Sequence, residues 1–404
     1  MSKALGLMPS WYWPDGVQRY LRAPRVALYE LAVGRWAKRY GSDLALVAGG
    51  SSLSFRELDA ACAAVAANYL SRFADTPGRV ALGVRAPEAF APLLLGLLRA
   101  DATVLVLADS PPERAADALS EFQPDLLVSD DPAVAADGVR REEPADWLDG
   151  SAARPQPVKL DPGGPSIALP GRDGLAWHSQ MSLMSGAMAF AAFTRLEPPA
   201  KLLVARPPGA WEGLIGLLAP LQTGGAALLD GCGDPAVTAA LVRGHAPRSL
   251  WLDAVAAEGL LHRPGPLVSS IRDQRPDIFV TTTAVFPKRV LRSLRRLLGV
   301  PVLTVYGYPE TGPIAAAHPS WHVDDAVGIP MTGTDLVPLN PRSGRAVEAP
   351  WDLLAYAHVG VQTNALATNV GTADDEGADH IDTRCYNTRA PGVIDANGML
   401  YLLD

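Results

Sequence analysis

Lysine is nearly absent. Only Lys3, Lys38, Lys159, Lys201 and Lys288 occur among 404 residues, beside thirty arginines, so few side chains are available for amine chemistry. The three cysteines, Cys62, Cys232 and Cys385, lie far apart, with no pair motif and no metal-ligand spacing. That excludes a disulfide framework and fits a reducing, cytoplasmic compartment. Cys62, within ACAAVAA, reads as a small buried hydrophobe. Cys232, within DGCGDP, has no base near it in sequence to make it a nucleophile. No apolar run is long enough to span a bilayer. The strongest, FAPLLLGLLRADATVLVLAD, is broken by Arg99 and Asp101 and reads as a buried helix followed by a buried strand. There is no signal-like segment at the N-terminus. Basic stripes, zinc-finger spacing and aromatic–basic interleaving are missing, and the net charge is −8, so nucleic acid is excluded as a partner. The one basic cluster, KRVLRSLRR at 288–296, has helical spacing and reads as a solvated helix face. His318 and His322 stand four apart, but Pro319 breaks the helix that would align them and no third ligand is evident. No Gly-x-Ser-x-Gly elbow occurs.

What is present is a folded chain, 48% apolar and too long for one typical domain. YELAVGRWAKRY reads as an amphipathic helix leading to the strand DLALV. SLSFRELDAACAAVAANYL carries Ser54 and Glu57 at capping-box spacing ahead of an alanine-rich helix. RVALGVRA, ATVLVLA and PDLLVSD are apolar strands separated by the helices PEAFAPLLLGLLRA and PPERAADALSEF. Residues 130–165 are acidic, proline-rich and loose. The alternation then resumes with the strands KLLVARP, AALLDG, SLWLDA, PDIFVTT and VLTVYGY and the helices between them. Apolar strands alternating with helices mean parallel sheets covered on both faces. From about residue 325 the texture turns to short polar segments. DANG marks a turn between two apolar strands. The expected fold class is α/β: two stacked, mostly parallel sheets with covering helices plus a small β-rich lobe. The boundaries are a leader at 1–24, paired α/β subdomains at 25–324 and the β lobe at 325–404.

In sheets of this kind ligands sit beyond the carboxyl ends of the strands. The stretch VLTVYGYPETGP at 302–313 puts Glu310 there, just past the stiffening Pro309. A carboxylate at that place suits a Mg²⁺ ion or a ligand hydroxyl.

Four stretches, in order, carry a family resemblance: SLSFRELDAACAAVAANYL; APEAFAPLLLGLLRADATVLVLADSPPERAADALSEFQPDLLVSD; YGYPETG; and DTRCYNTRAPGVIDANGMLYLLD. Together they resemble the large N-terminal domain of the adenylate-forming enzymes, the acyl- and aryl-CoA ligases, luciferases and peptide-synthetase adenylation domains, over roughly residues 25–404. The resemblance implies chemistry in which ATP and a carboxylate give an acyl-adenylate and pyrophosphate. It implies Mg²⁺ on Glu310, adenine beside Tyr308, the α-phosphate near Thr311, and an acyl pocket at Tyr306, Gly307 and Trp211. Thr283 and Ala284 would lie near the base.

The nucleotide motifs of that family are eroded. The phosphate loop corresponds to SIALPGRDGLAWHSQ at 166–180, which has no lysine and no Ser or Thr between Ala168 and Trp177. Arg172 is its sole candidate phosphate ligand, and Asp173 would repel a triphosphate. The Tyr-x-Thr-Gly-Asp motif falls on 386–390, so Ala390 replaces the ribose-binding aspartate and cannot accept a hydrogen bond. The glycine-rich adenine turn reads TTTAVF. The chain stops where the family's lid domain would begin, so the lid and its lysine are expected to be absent. The sequence therefore points to a catalytically impaired relative that binds an acyl or aryl ligand, a small carboxylic acid or acyl thioester, or acts as an accessory protein in a biosynthetic complex. The competing reading is an active ligase using ATP and Mg²⁺ on Glu310, with a lid or lysine lent by a partner chain.

Overall fold

The helix Phe55–Arg72 begins where its sequence directs. The Ser54 hydroxyl accepts the Glu57 N–H at 3.3 Å while the Glu57 carboxylate accepts the Ser54 N–H at 2.8 Å. This reciprocal pair satisfies two of the donors that a helix start leaves open. The helix buries Leu58, Cys62 and Val65 against the apolar helix Pro87–Arg99. The computed structural model describes residues 13–73, 78–107, 110–135, 138–148, 161–231, 233–282, 286–347, 357–370 and 384–403.

Three sheets organise those residues. The largest has nine strands, running in space Ile329–Pro330, Gly312–Ala316, Val302–Tyr308, Asp277–Thr282, Ser249–Asp253, Lys201–Val204, Ala226–Leu229, Leu44–Ala48 and Ser51–Ser54. Its central strands are parallel and its edges antiparallel. A six-stranded sheet runs Arg140–Glu142, Leu126–Ser129, Arg79–Gly83, Thr103–Val106, Pro165–Pro170 and Leu175–Ser179. A four-stranded antiparallel sheet holds Thr334–Leu339, His358–Thr363, Tyr386–Ile394 and Leu400–Leu402. The α/β class with two parallel-rich sheets and a small β lobe is thus the observed one.

Some local readings differ. The segment at 30–39 is not one α-helix: a π turn, Glu30–Gly34, leads into Arg35–Arg39. The stretch at 130–165 is less loose than its composition suggests, because Arg140–Glu142 pairs with Leu126–Val128 and the helix Ala145–Leu148 follows. The basic helix Lys288–Leu298 exposes Arg289, Arg292 and Arg296, but Arg292 and Arg295 also pair with Asp324. Among the described residues, no helix is long and apolar enough to cross a membrane.

Candidate functional site

The strand Val302–Tyr308 is buried along its whole length. It ends in the turn that holds Glu310, which is only 7% exposed. Thr311 is fully buried, and its hydroxyl donates to the Gly312 carbonyl at 2.9 Å. A histidine from another sheet fixes the start of this turn. His178, on Leu175–Ser179, places Nε2 2.7 Å from the Pro309 carbonyl and Nδ1 3.1 Å from the Ser182 hydroxyl. A carbonyl oxygen only accepts, so Nε2 carries the hydrogen and Nδ1 accepts from Ser182. Burial pushes the His178 pKa down to about 4, so the ring is neutral.

The hairpin turn between Pro165–Pro170 and Leu175–Ser179 lies directly on Glu310. The main-chain N–H of Arg172 donates to Glu310 Oε1 at 2.6 Å. A Cβ on residue 171 would come within 2.6 Å of the same oxygen, so this close approach requires Gly171. The Arg172 guanidinium crosses to the small lobe and donates to the Thr388 carbonyl at 2.6 Å. Its central carbon stands 4.7 Å from the centroid of the Tyr308 ring, a cation–π distance. Next to it, Asp173 takes two hydrogen bonds from Arg389, at 2.8 and 3.2 Å. The two residues weighed as a phosphate ligand and a phosphate repellent are both engaged with the chain's own lobe.

Three tyrosines surround the carboxylate. The Tyr306 and Tyr308 hydroxyls are 3.0 Å apart, and the Tyr308 and Tyr386 rings are 5.8 Å apart. Burial, and then the Glu310 charge, hold the Tyr386 phenol well above its ordinary pKa. Glu310 Oε2 and the Tyr386 hydroxyl find no hydrogen-bond partner of normal geometry among the described residues. Glu310 and Tyr386 border a cavity of about 410 Å³, shared with Asn369, Asn387, Asp173 and Arg389.

The acyl-side residues pack together. Tyr306 is fully buried. The Trp211 ring edge is 2.9 Å from where a Gly307 side chain would begin. Trp211 also meets Trp251 edge-on at 5.8 Å, and Trp251 stacks on Phe190 at 4.4 Å. Trp211 borders a cavity of about 190 Å³ with Arg114, Arg206 and Pro309; Tyr306 and Gly307 do not border it. Ala390 sits in the strand Tyr386–Ile394, its N–H donating to the Thr388 hydroxyl at 3.2 Å. Thr283 and Ala284 fall outside the described residues.

His178, Tyr386 and Trp251 were not singled out from the sequence. Tyr386 was legible as the first residue of the eroded ribose motif. A buried strand histidine and a strand tryptophan carry no signal that separates them from core. Among the described residues, no three His, Cys, Asp or Glu side chains group to hold a metal ion.

No protein-family model matches the chain, and no curated protein matches it. Solved structures do. ATP-bound MatB from Rhodopseudomonas palustris superposes with a TM-score of 0.78 at 20% identity, over 93% of this chain and 78% of that one. VinN superposes at 0.76 with 15% identity, over 95% and 100%. The o-succinylbenzoate-CoA synthetase MenE from Bacillus subtilis, in complex with AMP, superposes at 0.77 with 15% identity, over 95% and 79%. This protein is built on the fold of the adenylate-forming enzymes.

Proposed function

We propose that this chain uses the adenylate-forming fold as an accessory protein of a biosynthetic complex, not as a self-sufficient carboxylate-adenylating ligase. The observation that carries this reading is the 171–174 turn seated on Glu310, with Arg172 against Tyr308. Glu310, Arg172 and Thr311, which the sequence assigns to metal and phosphate, are engaged with the chain itself.

The fit of Mg²⁺ and ATP is poor. Mg²⁺ demands near-octahedral oxygen ligands and is usually held by one or two carboxylates plus phosphates. Here one oxygen of Glu310 already accepts the Arg172 N–H, and Asp173 is paired with Arg389. The Thr311 hydroxyl is turned into its own loop, and Ala390 offers no acceptor to a ribose. No catalytic step is assigned to either group. On the acyl side, Trp211 packs edge-on against Trp251 and borders a cavity of only about 190 Å³ that Tyr306 and Gly307 do not line, which favours an accessory role over acyl or aryl binding.

Carboxylate-dependent pyrophosphate exchange tests the reading. Across fatty, aryl and amino acids the isolated chain is expected to give none above background; exchange by the chain alone overturns the proposal. One observation favours a second reading. Glu310 keeps its place at the strand end and borders a cavity of about 410 Å³. An active ligase completed by a partner's lid or lysine would show exchange only when proteins encoded beside it are added, and Glu310→Ala would abolish that exchange.

A further inference from the structure

The 171–174 turn makes two kinds of contact, and they differ in how easily they break. The inner set joins the exposed Arg172 to buried partners: its N–H on Glu310, its guanidinium on the Thr388 carbonyl, and the same guanidinium over the Tyr308 ring. The outer contact is the Asp173–Arg389 pair, with both side chains about 60% exposed. One contact of each set, Arg172 on the Thr388 carbonyl and Asp173 on Arg389, joins the six-stranded sheet's hairpin to one short stretch of the small lobe; the other inner contacts reach Glu310 and Tyr308 at the end of the strand Val302–Tyr308. The guanidinium of Arg172 donates to a neutral carbonyl and lies over an aromatic face; the Glu310 charge acts on it through space, and among the described residues no carboxylate pairs with it directly, so an anion that reached it would add a charge-assisted bond. The outer pair sits in water and weakens with salt.

We infer that the turn is an autoinhibitory latch. Closed, it covers the Glu310 and Tyr308 face; released together at Arg172 and Asp173, it exposes that face without disturbing the sheets beneath. The inference rests on the reading that the chain's own turn occupies this place. It adds that the occupation is reversible and is held by side chains that an anionic ligand or a partner's acidic group can displace.

Hydrogen–deuterium exchange on the full chain tests the latch, in the unaltered protein and in Asp173→Asn, Arg389→Gln, Arg172→Ala and the Arg172→Ala/Asp173→Asn double variant. In the double variant, amides at 170–175 and 306–311 are expected to exchange about tenfold faster or more, with the core helix at 55–72 unchanged. The surface variants alone should give a smaller gain at the same amides, and so should raising the salt concentration on the unaltered protein. Unchanged exchange at 170–175 in the double variant overturns the latch, as does faster exchange spread over the whole chain. Asp173→Asn and Arg389→Gln alter exposed groups, so they keep the test open if Arg172→Ala misfolds. Inorganic pyrophosphate is the anion probe, added to each protein in a calorimeter. Tighter binding to Asp173→Asn than to the unaltered protein, lost in the double variant that lacks the Arg172 guanidinium, supports a latch that an anion displaces; equal or absent binding across all variants overturns it. Pyrophosphate exchange by the unaltered chain would instead sink the accessory reading, so the two failures are told apart.

Discussion

The imidazole Nε2 of His178 lies 2.7 Å from the carbonyl oxygen of Pro309, the residue before Glu310. A hairpin strand of the six-stranded sheet thereby holds the turn at the end of a strand in the nine-stranded sheet. The hairpin that leads into that strand supplies the Arg172 N–H to the carboxylate itself. The candidate site is therefore pinned from one hairpin at two successive residues.

Burial of this imidazole makes stability depend on pH. The His178 pKa is pushed down to about 4 in the folded state, below the ordinary value of about 6.5. The unfolded chain takes up the proton first, so stability is full above about pH 6.5 and is lost as pH falls toward 4. The contribution of this one group is about 3 kcal/mol across that window. Burial places His318 in the same range, so acid sensitivity is shared between the two. Denaturant unfolding at pH 7 and pH 5 should show the loss, and His178→Gln should reduce the difference between the two pH values. An unchanged difference would mean that His178 is not the buried neutral group described.

Gly171→Ala should cost stability locally. Its methyl would meet Glu310 Oε1 at 2.6 Å and the Gly174 carbonyl oxygen at 3.0 Å. Relief takes either a swing of the Glu310 carboxylate away from the Arg172 N–H or a lift of the turn, at a cost of about 1–3 kcal/mol. The unfolding midpoint in urea should fall while the slope stays constant. A variant as stable as the unaltered chain would show that the turn does not rest on the carboxylate.

Trp251 should be among the costliest side chains to remove. It is fully buried, stacks on Phe190, and donates its indole N–H to the Thr281 hydroxyl at 2.7 Å. Trp251→Ala should cost about 3–5 kcal/mol. Trp251→Phe keeps most of the ring area but strands the buried hydroxyl, so about 1–3 kcal/mol is expected. Equal costs for the two variants would mean that the hydrogen bond, not the filled volume, matters.

Nucleotide affinity should be poor. ATP with Mg²⁺ is expected to bind more weakly than about 1 mM, because several charge-assisted hydrogen bonds are missing. Calorimetry on the unaltered chain decides it. A micromolar dissociation constant would return the active-ligase reading to first place.

Much of this architecture was legible in the residues alone. Apolar strands alternating with helices required parallel sheets, and the Ser54–Glu57 spacing placed a helix start that the structure reproduces. Position after the strand Val302–Tyr308 singled out Glu310, and the lack of a side-chain acceptor at Ala390 is a fact of the sequence. Periodicity is local, however, and does not say which strands meet. Leu46 pairs with Ala227, and Val104 pairs with Ile167, so the early strands are divided between two sheets. Nor could the sequence show that Arg172, counted as a candidate for phosphate, donates to Thr388 from 216 positions away. A side chain's partners are set by which loops the folded sheets bring together, and that contact depends on long-range packing. The residue types determined that position 390 carries no hydrogen-bond acceptor and that 169–176 carries no lysine; only the tertiary structure, through long-range packing, decided that the 171–174 turn rests on Glu310.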